Sequence, residues 1–505
     1  NKVQAREELA SRLELRRGQI FFTDRYNKSV AVALNKDRPI IFAAPREIQN
    51  DKDLNLFSGS LASVVGISEE ELKGKILGKP KSAFEVLVEE PTEDQIKSVK
   101  DLKTKLKLKG IDIQNRQYRY YPFETSASHL IGFVGVNEEH ARPLGLYGLE
   151  KFYDSTLSKG EDLFLTIDKN IQAQAEQILL NLMQRFNAAG GTIIVEEPAT
   201  GKILTLVSEP SFDPNEYGKS PVKNFLNPAA QYIYEPGSVF KPLTMAAGID
   251  SGALTPETAF VDTGSVILNG KKIQNWDLKA HGRVTMTNVI EQSINTGAIY
   301  AEKLIGNQNF LEYVKKFGFG KKTGIDLPDE TAGSIKNLEK KDARAIDFAT
   351  ASFGQGTAVT PLQLIGAFSS LANGGLLMRP YVNAELKPEV LGKTVGEETT
   401  KKVATMMESA VVKARVAAIP EYRVAGKTGT AQIPNLKIGG YTEEFIHTFI
   451  GFAPVSQARF AILIKLEKPN ATLAGLTVVP AFKELSQFII NYYNIPPDQL
   501  SLQQQ

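Results

Sequence analysis

The sequence predicts an α+β fold in which an antiparallel sheet is flanked by helices and preceded by a separate N-terminal part. Three observations predict it. After Gly190-Gly191, the run TIIVEEPATGKILTLVSEP reads as two β-branched strands joined by a Pro-Ala-Thr-Gly turn, a hairpin. Near the other end, YRVAGKTGTAQ, EFIHTFIGFAPV and ARFAILIKLEK are three further strand-like runs, with helical stretches between the two groups. Strands at both ends of one domain imply a sheet that closes with the final strands. The third observation is a change of character before residue 188, where charged helices and extended segments dominate.

The bulk numbers set limits. A chain of 505 residues at 42% hydrophobic can bury a large core and divides into two or three domains. Its 59 basic and 57 acidic residues leave a net charge of +2, so no global field favours nucleic acid or acidic lipid. The absence of cysteine excludes disulfides, thiolate chemistry and zinc-thiolate sites. The four histidines, at 129, 140, 281 and 447, form no metal-binding array. No run approaches the roughly 18 apolar residues of a membrane span. The chain opens on Asn1 rather than Met, which fits a processed or trimmed chain with an anchor upstream.

Taken in order, residues 1–17 are helical and charged. RRGQIFFTDRYNKSVAVALN alternates like an extended segment with a turn at Asn27-Lys28. Residues 45–110 are rich in Lys, Glu and Asp and read as a solvated helical insertion, with helices near 52–78 and 92–107. QYRYYPFETSASHLIGFVG returns to strand-like residues, and GLYGLEKFYDSTLSKG leads into a short strand DLFLTID. Asp168 caps a helix whose Ile171, Ala175, Ile178, Leu179 and Leu182 share one face. The main domain boundary falls next, giving parts 1–187 and 188–495 and a tail 496–505. Residues 287–305 read as helix, polar break, helix. FGFGKKTGIDLPDE is a Gly-rich loop, and Thr360-Pro361-Leu362-Gln363 is a capping box opening a helix that stops at Asn373-Gly374-Gly375. Residues 396–415 are helical, and a last helix begins near Pro480.

The chemistry centres on EPGSVFKPLTMAAGID, residues 235–250. Pro236-Gly237 is a breaker pair, and the apolar run from Leu243 to Ile249 suits a helix buried on all sides. Ser238 and Lys241 then lie three residues apart at a helix start, on one face. Pro242 is tolerated only there. The Ser238 N–H falls among the unpaired donors of the helix N-terminus, where developing negative charge is stabilised. A serine hydroxyl becomes a nucleophile when a base takes its proton, and a lysine kept neutral by burial and a second cation can do so. S-x-x-K alone is weak, since average composition gives about two matches in such a chain. Ser220-Pro-Val-Lys223 is one competitor, with no buried helix behind it.

The partners decide. Ser293-x-Asn295 and Lys427-Thr428-Gly429 follow in order. A second serine beside the lysine can relay a proton to a leaving amine, and Asn295 can hold a substrate amide. Lys427 supplies a cation that keeps Lys241 neutral and attracts a carboxylate. A strand edge at 427–430 offers N–H groups, so those of Thr430 and Ser238 would form an oxyanion hole.

This trio occurs in penicillin-binding proteins and class A β-lactamases. With EPGSVFKP, SINTG and AGKTGTAQ as the motifs, the chain resembles a class B penicillin-binding protein, a peptidoglycan D,D-transpeptidase, over most of its length. GFGKKTGIDLPDE and ASFGQGTAVTPLQLIGAFSSLANGG resemble flanking family segments. RRGQI…DR, YPFETSASHLIGFVG and GLYGLE resemble the non-catalytic, dimerisation-type pedestal of that class. The resemblance implies a C-terminal penicillin-binding/β-lactamase-like transpeptidase domain on an elongated N-terminal pedestal. It implies Ser238 as acylated nucleophile, Lys241 as general base and Ser293 as proton relay, with Asn295 and Lys427 in support. Thr428, with Gly429 beside it, would contact the substrate's terminal carboxylate. The implied substrates are peptidoglycan stem peptides ending in D-alanyl-D-alanine, with β-lactams as covalent inhibitors. Implied partners are cell-wall synthesis proteins, such as a glycosyltransferase, meeting the pedestal. The implied location is the extracytoplasmic side of the cell membrane. Neither cofactor, metal nor nucleic acid enters this chemistry.

Two departures stand out. Phe22-Thr23 look inserted before Asp24, and Tyr26-Asn27-Lys28 replace the usual family turn, which bears on the pedestal's register. Ile294 stands where a small or polar residue is common and would reshape one pocket wall. Two decoys are set aside. Lys322-Thr323-Gly324 also spells K-T-G, but in a Gly-rich loop. Gly426-Lys427-Thr428 ends like a phosphate loop, yet Glu421 stands where that motif needs Gly. The alternatives are a β-lactamase, a D,D-carboxypeptidase, and a non-catalytic morphogenesis scaffold or β-lactam sensor. The roughly 190-residue extension argues against the first, and intact motifs against the last.

Overall fold

A computed structural model describes residues 16–48, 50–136, 143–435 and 438–499. The charged helix expected over 1–17 lies almost wholly outside them. Contacts divide the chain into two compact units, one built on Ala33–Tyr120 and the other on Gly18–Val32 with the chain from Tyr121 onward.

The smaller unit corrects the reading of 45–110 as a solvated helical insertion. The long strand Val30–Ala43 pairs antiparallel with Ile111–Tyr120, from Leu34↔Tyr120 to Ala43↔Ile111, and with Glu85–Val88. Over it lie helices Asp51–Val65, Glu69–Gly78 and Glu93–Leu106. They enclose a core of Phe57, Leu61, Leu72, Ile76, Val99 and Ile41. Composition hid this core, because a few apolar residues at helical spacing are diluted by the charged faces around them. The helix expected over 52–78 is two helices. Gly66 at φ 79° ends the first, and the Ser68 side chain caps the second by accepting the Glu71 N–H at 3.1 Å.

In the larger unit, Ile20–Thr23 pairs parallel with Leu163–Asp168, and the register slips between Phe21 and Thr23. The stretch after Tyr120 is not the strand expected. It turns, forms a short helix Ser128–Ile131 and only then a three-residue strand Val134–Val136. Its aromatics are used for packing instead: Phe133 stacks on Tyr217 at 4.2 Å and meets Phe225 edge-on at 5.0 Å.

The main sheet has five strands in the order Ala425–Pro434, Tyr441–Ala453, Phe460–Glu467, Gly190–Glu197, Lys202–Glu209, all antiparallel. Strands from the two ends of the domain therefore meet in the middle. Both faces are covered, since successive residues Ile193, Ile194 and Val195 are all fully buried. Helices Lys169–Phe186 and Val478–Tyr493 share a core with one face, through Ile171, Ile178, Leu179, Phe482, Leu485 and Ile489. The helix before residue 187 thus packs with the sheet after it. Gln363, in the capping box of helix Pro361–Ala372, also donates to the carbonyls of Lys321 (2.7 Å) and Ala332 (2.8 Å), tying down the Gly-rich loop. Residues 496–499 pack back: Asp498 accepts the N–H groups of Arg423 (2.8 Å) and Ser456 (3.1 Å). Among the described residues, no helix is long and apolar enough to cross a membrane.

Candidate active site

Ser238 lies in a 3-10 turn, Gly237–Phe240, and the α-helix begins only at Lys241 and runs to Asp250. The sequence placed both residues at one helix start; the turn before it is tighter than an α-helix. Gly237, at φ 62°, opens this turn, and a Cβ there would sit 2.9 Å from the Cβ of Ala431. Its N–H donates to the Gly354 carbonyl at 3.0 Å. From Leu243 to Ile249 every residue of the helix is buried, as the apolar run predicts.

The polar break between helices Met286–Gln292 and Asn295–Ile305 is Ser293-Ile294. Ser293 caps the first helix in the left-handed region (φ 57°, ψ 44°), a conformation that costs on the order of 1–3 kcal/mol for a non-glycine residue and clusters at functional sites. The turn aims both the carbonyl and the hydroxyl of Ser293 at Lys241. Ile294 is fully buried beneath the motif.

The third segment is the edge strand Ala425–Pro434, where Lys427, Thr428 and Gly429 pair with Ile450, Phe449 and Thr448. Alternation buries Lys427, Gly429 and Ala431 against the serine turn and leaves Thr428 and Thr430 partly open. Gly429 is a close-approach glycine: a Cβ there would lie 3.0 Å from both the Pro236 carbonyl and Val239 Cγ1. The Thr430 hydroxyl accepts the Ala474 N–H at 3.3 Å, so its side chain is engaged behind the strand.

The lysine amine is the meeting point. Lys241 Nζ lies 3.0 Å from Ser238 Oγ, 2.6 Å from the Ser293 carbonyl, 3.1 Å from Ser293 Oγ and 2.8 Å from Asn295 Oδ1. Lys427 Nζ approaches Ser293 Oγ from the other side at 3.0 Å and also meets the Thr428 carbonyl (3.1 Å) and Oγ1 (3.4 Å). Ser293 Oγ is therefore held between two amines. Both lysines are almost completely buried. Burial, then the charge of Lys427, holds the Lys241 amine well below the usual lysine range. Burial alone brings Lys427 down to about 7.

The residues of the three motifs thus meet around one amine, and the comparisons with known proteins decide the family. Residues 191–487 match the model of the penicillin-binding protein transpeptidase domain, and residues 13–175 that of the penicillin-binding protein dimerisation domain. The chain belongs to the penicillin-binding protein transpeptidase family.

Among its relatives is Stage V sporulation protein D of Bacillus subtilis, 33% identical over 91% of this chain and 75% of that protein. The peptidoglycan D,D-transpeptidase FtsI of Escherichia coli K12 is 29% identical over 96% and 85%. Of solved structures, penicillin-binding protein 2X of Streptococcus thermophilus superimposes with a TM-score of 0.77 over 95% of this chain and 80% of that one; at 19% identity it speaks for the fold. Penicillin-binding protein 3 of Mycobacterium tuberculosis gives 0.69 at 27% identity over 76% and 94%.

Several supports of this penicillin-binding site had no signal in the sequence. Asn295 Nδ2 donates to the Gln274 carbonyl at 2.9 Å, which fixes the amide's orientation. Gln274 is positioned in turn by Asn275, whose Nδ2 donates to Asp262 (2.8 Å), while the Thr296 hydroxyl donates to the other Asp262 oxygen at 2.6 Å. Burial raises the Asp262 carboxyl, but these bonds and two backbone N–H donors outweigh it and leave it below the usual range. Glu235 accepts from the Gly356 N–H (3.0 Å) and the Tyr441 hydroxyl (2.8 Å), joining two loops and the start of a sheet strand beside the serine turn. None of these pairs is close in sequence, so only coordinates could find them. A cavity of about 840 Å³ between Asn373, Glu397 and Val455 holds none of the three motifs, so volume is no guide to the chemistry here.

Proposed function

We propose that the chain is a peptidoglycan D,D-transpeptidase acting through a Ser238 acyl-enzyme. The observation that carries this reading is the hydrogen-bond count at Lys241 Nζ. A neutral amine has two N–H donors and one lone pair. Its two shortest contacts, the Ser293 carbonyl and Asn295 Oδ1, accept only and take both donors. The lone pair is left for a hydroxyl, and Ser238 at 3.0 Å can donate to it. Burial and the charge of Lys427 favour the neutral amine, and in that state its lone pair faces the Ser238 hydroxyl, as a general base requires.

In the first step, the Ser238 oxygen attacks the carbonyl between the two terminal D-alanines as its proton passes to Lys241. N–H groups of Ser238 and Thr430 receive the oxyanion. The proton returns through Lys241 and Ser293 to the departing D-alanine amine. In the second step, an amine of a neighbouring stem attacks the ester, and Ser238 recovers its proton. Lys427 holds Ser293 and, with Thr428, attracts the terminal carboxylate. Asn295 orients Lys241 and keeps one N–H and one lone pair for a substrate amide. A β-lactam carries the same acyl carbonyl and stops at the ester.

We further place the transpeptidase domain at 188–495, with helix Lys169–Phe186 lent to its core by the pedestal 1–187 and the tail from 496. The family-model spans support that division. The substrate lies in the cell wall, so this domain belongs on the extracytoplasmic side of a membrane, on an anchor upstream. The pedestal is the surface for a cell-wall synthesis partner such as a glycosyltransferase. The decisive experiment is labelling with a fluorescent penicillin: the chain labels, and Ser238→Ala does not. Lys241→Ala keeps its circular dichroism and loses labelling by at least about 10²-fold. Label persisting on Ser238→Ala overturns the nucleophile, and near-normal labelling of Lys241→Ala overturns the base.

A further inference from the structure

A cavity of about 340 Å³ away from the three motifs has a lining of two opposed characters. It lies between the end of helix Asn307–Lys316, the Gly-rich loop after it, the start of helix Pro361–Ala372 and the hairpin of Leu376–Met378 with Val390–Lys393. The floor is apolar: Phe317, Leu362 and Met378 are buried, and Leu391 is 44% exposed at the mouth. Around it stand Lys315, Lys316, Lys321, Lys322 and Lys393, and among the described residues no Asp or Glu lines it.

Simpler reasons account for part of this cluster. Lys315 and Lys316 end a helix, where cations are favoured by its dipole. Lys315 also pairs with Glu339 at 2.9 Å, and Lys316 lies over the Tyr313 ring at 4.5 Å. Lys321, Lys322 and Lys393 come from two other elements and have no such reason. Among the described residues, no carboxylate pairs with any of these three. The chain as a whole carries only +2, so the gathering is local. Solubility would be served by charges of either sign; a single sign around a concave apolar floor focuses the field on an anion. The volume falls at the lower end of small-ligand sites.

We propose that this cavity binds an amphiphilic anion, an alkyl phosphate, with its head among Lys321, Lys322 and Lys393 and its chain against Phe317, Leu377 and Leu391. It also gives a use to Lys322, whose K-T-G tripeptide catalysis leaves aside. Calorimetric titration of the full chain with dodecyl phosphate, below its micelle-forming concentration, gives one site. Dodecyl maltoside and inorganic phosphate each bind at least tenfold more weakly. The triple variant Lys321→Gln, Lys322→Gln, Lys393→Gln loses at least tenfold in affinity and still labels with fluorescent penicillin. If its labelling is lost, Leu391→Glu, at an exposed position, decides with the same tenfold loss. Equal binding of the maltoside, equal binding of inorganic phosphate, or unchanged affinity in the variants overturns the proposal.

Discussion

The tripeptide Lys-Thr-Gly occurs twice in this chain, and the two copies share nothing but spelling. At 322–324 it lies in a loop without helix or strand, with Lys322 exposed. There the Thr323 N–H (2.7 Å) and hydroxyl (2.6 Å) and the Gly324 N–H (3.1 Å) all go to the Glu330 carboxylate. At 427–429 it lies on a sheet edge, with the lysine buried against Ser293 and the glycine against the serine turn. The first copy spends its donors on its own protein; the second keeps a threonine and an edge of backbone for something else. The motif acquires meaning only when the backbone aims its lysine inward and its strand lies at a sheet edge.

The largest contrast comes from the two lysines. Lys427→Ala lowers the second-order rate of penicillin acylation by about 10²–10³, the size of losing one aimed electrostatic group. Lys322→Ala leaves it within twofold. Equal losses at both positions would erase the distinction.

The glycines come next. Gly429→Ala pushes a methyl against the Pro236 carbonyl and Val239, so the edge strand and the serine turn move apart. A stability loss of about 1–3 kcal/mol in urea unfolding, with slower acylation, is expected. Gly324→Ala meets nothing closer than 3.6 Å, at Arg379, but sits at φ 78°. It costs about 1–2 kcal/mol of backbone strain and leaves acylation alone. The pair separates a close-approach glycine from a conformational one.

The pH dependence sharpens the comparison further. Acylation rises with pH as Lys241 loses its proton, and the charge of Lys427 helps it do so. Lys427→Gln removes that charge, so the acid limb of the pH–rate profile moves to higher pH; a limb that stays put would remove Lys427 from the base's electrostatics. Stability follows the same sign. Lys427 titrates at about 7 in the folded chain and near 10.5 unfolded, so between those values the unfolded state binds more protons. This group's penalty is full below about pH 7 and is relieved as pH rises toward 10.5. Unfolding midpoints from pH 7 to 10 should rise less steeply in Lys427→Gln.

The smallest effect is Thr323→Ala. It removes one hydrogen bond to Glu330, for about 0.5–1.5 kcal/mol by thermal unfolding, with acylation unchanged.

Much of this was legible in the sequence because it depends on neighbours along the chain. Capping at Asp168 and Thr360, the helix break at Ser293 and the mostly apolar helix behind Lys241 follow from side chains within a few residues of one another. So does the hairpin at 190–209. The Ser238–Lys241 spacing likewise fixes that hydroxyl and amine meet. Local pattern failed where apolar residues serve a distant partner. The small core around Phe57 and Leu72 was masked by charge, and the aromatics after Tyr120 pack on Tyr217 and Phe225 instead of extending a strand.

By itself the sequence determined which residue types the chemistry needs and their order along the chain. Only the tertiary structure decided that Lys241 is buried, that Lys427 comes within reach of the Ser293 hydroxyl from 134 residues away, and that Gln274 fixes the orientation of Asn295. The reason is physical: a hydrogen bond within one turn is set by backbone geometry, whereas a buried amine's charge depends on everything packed around it.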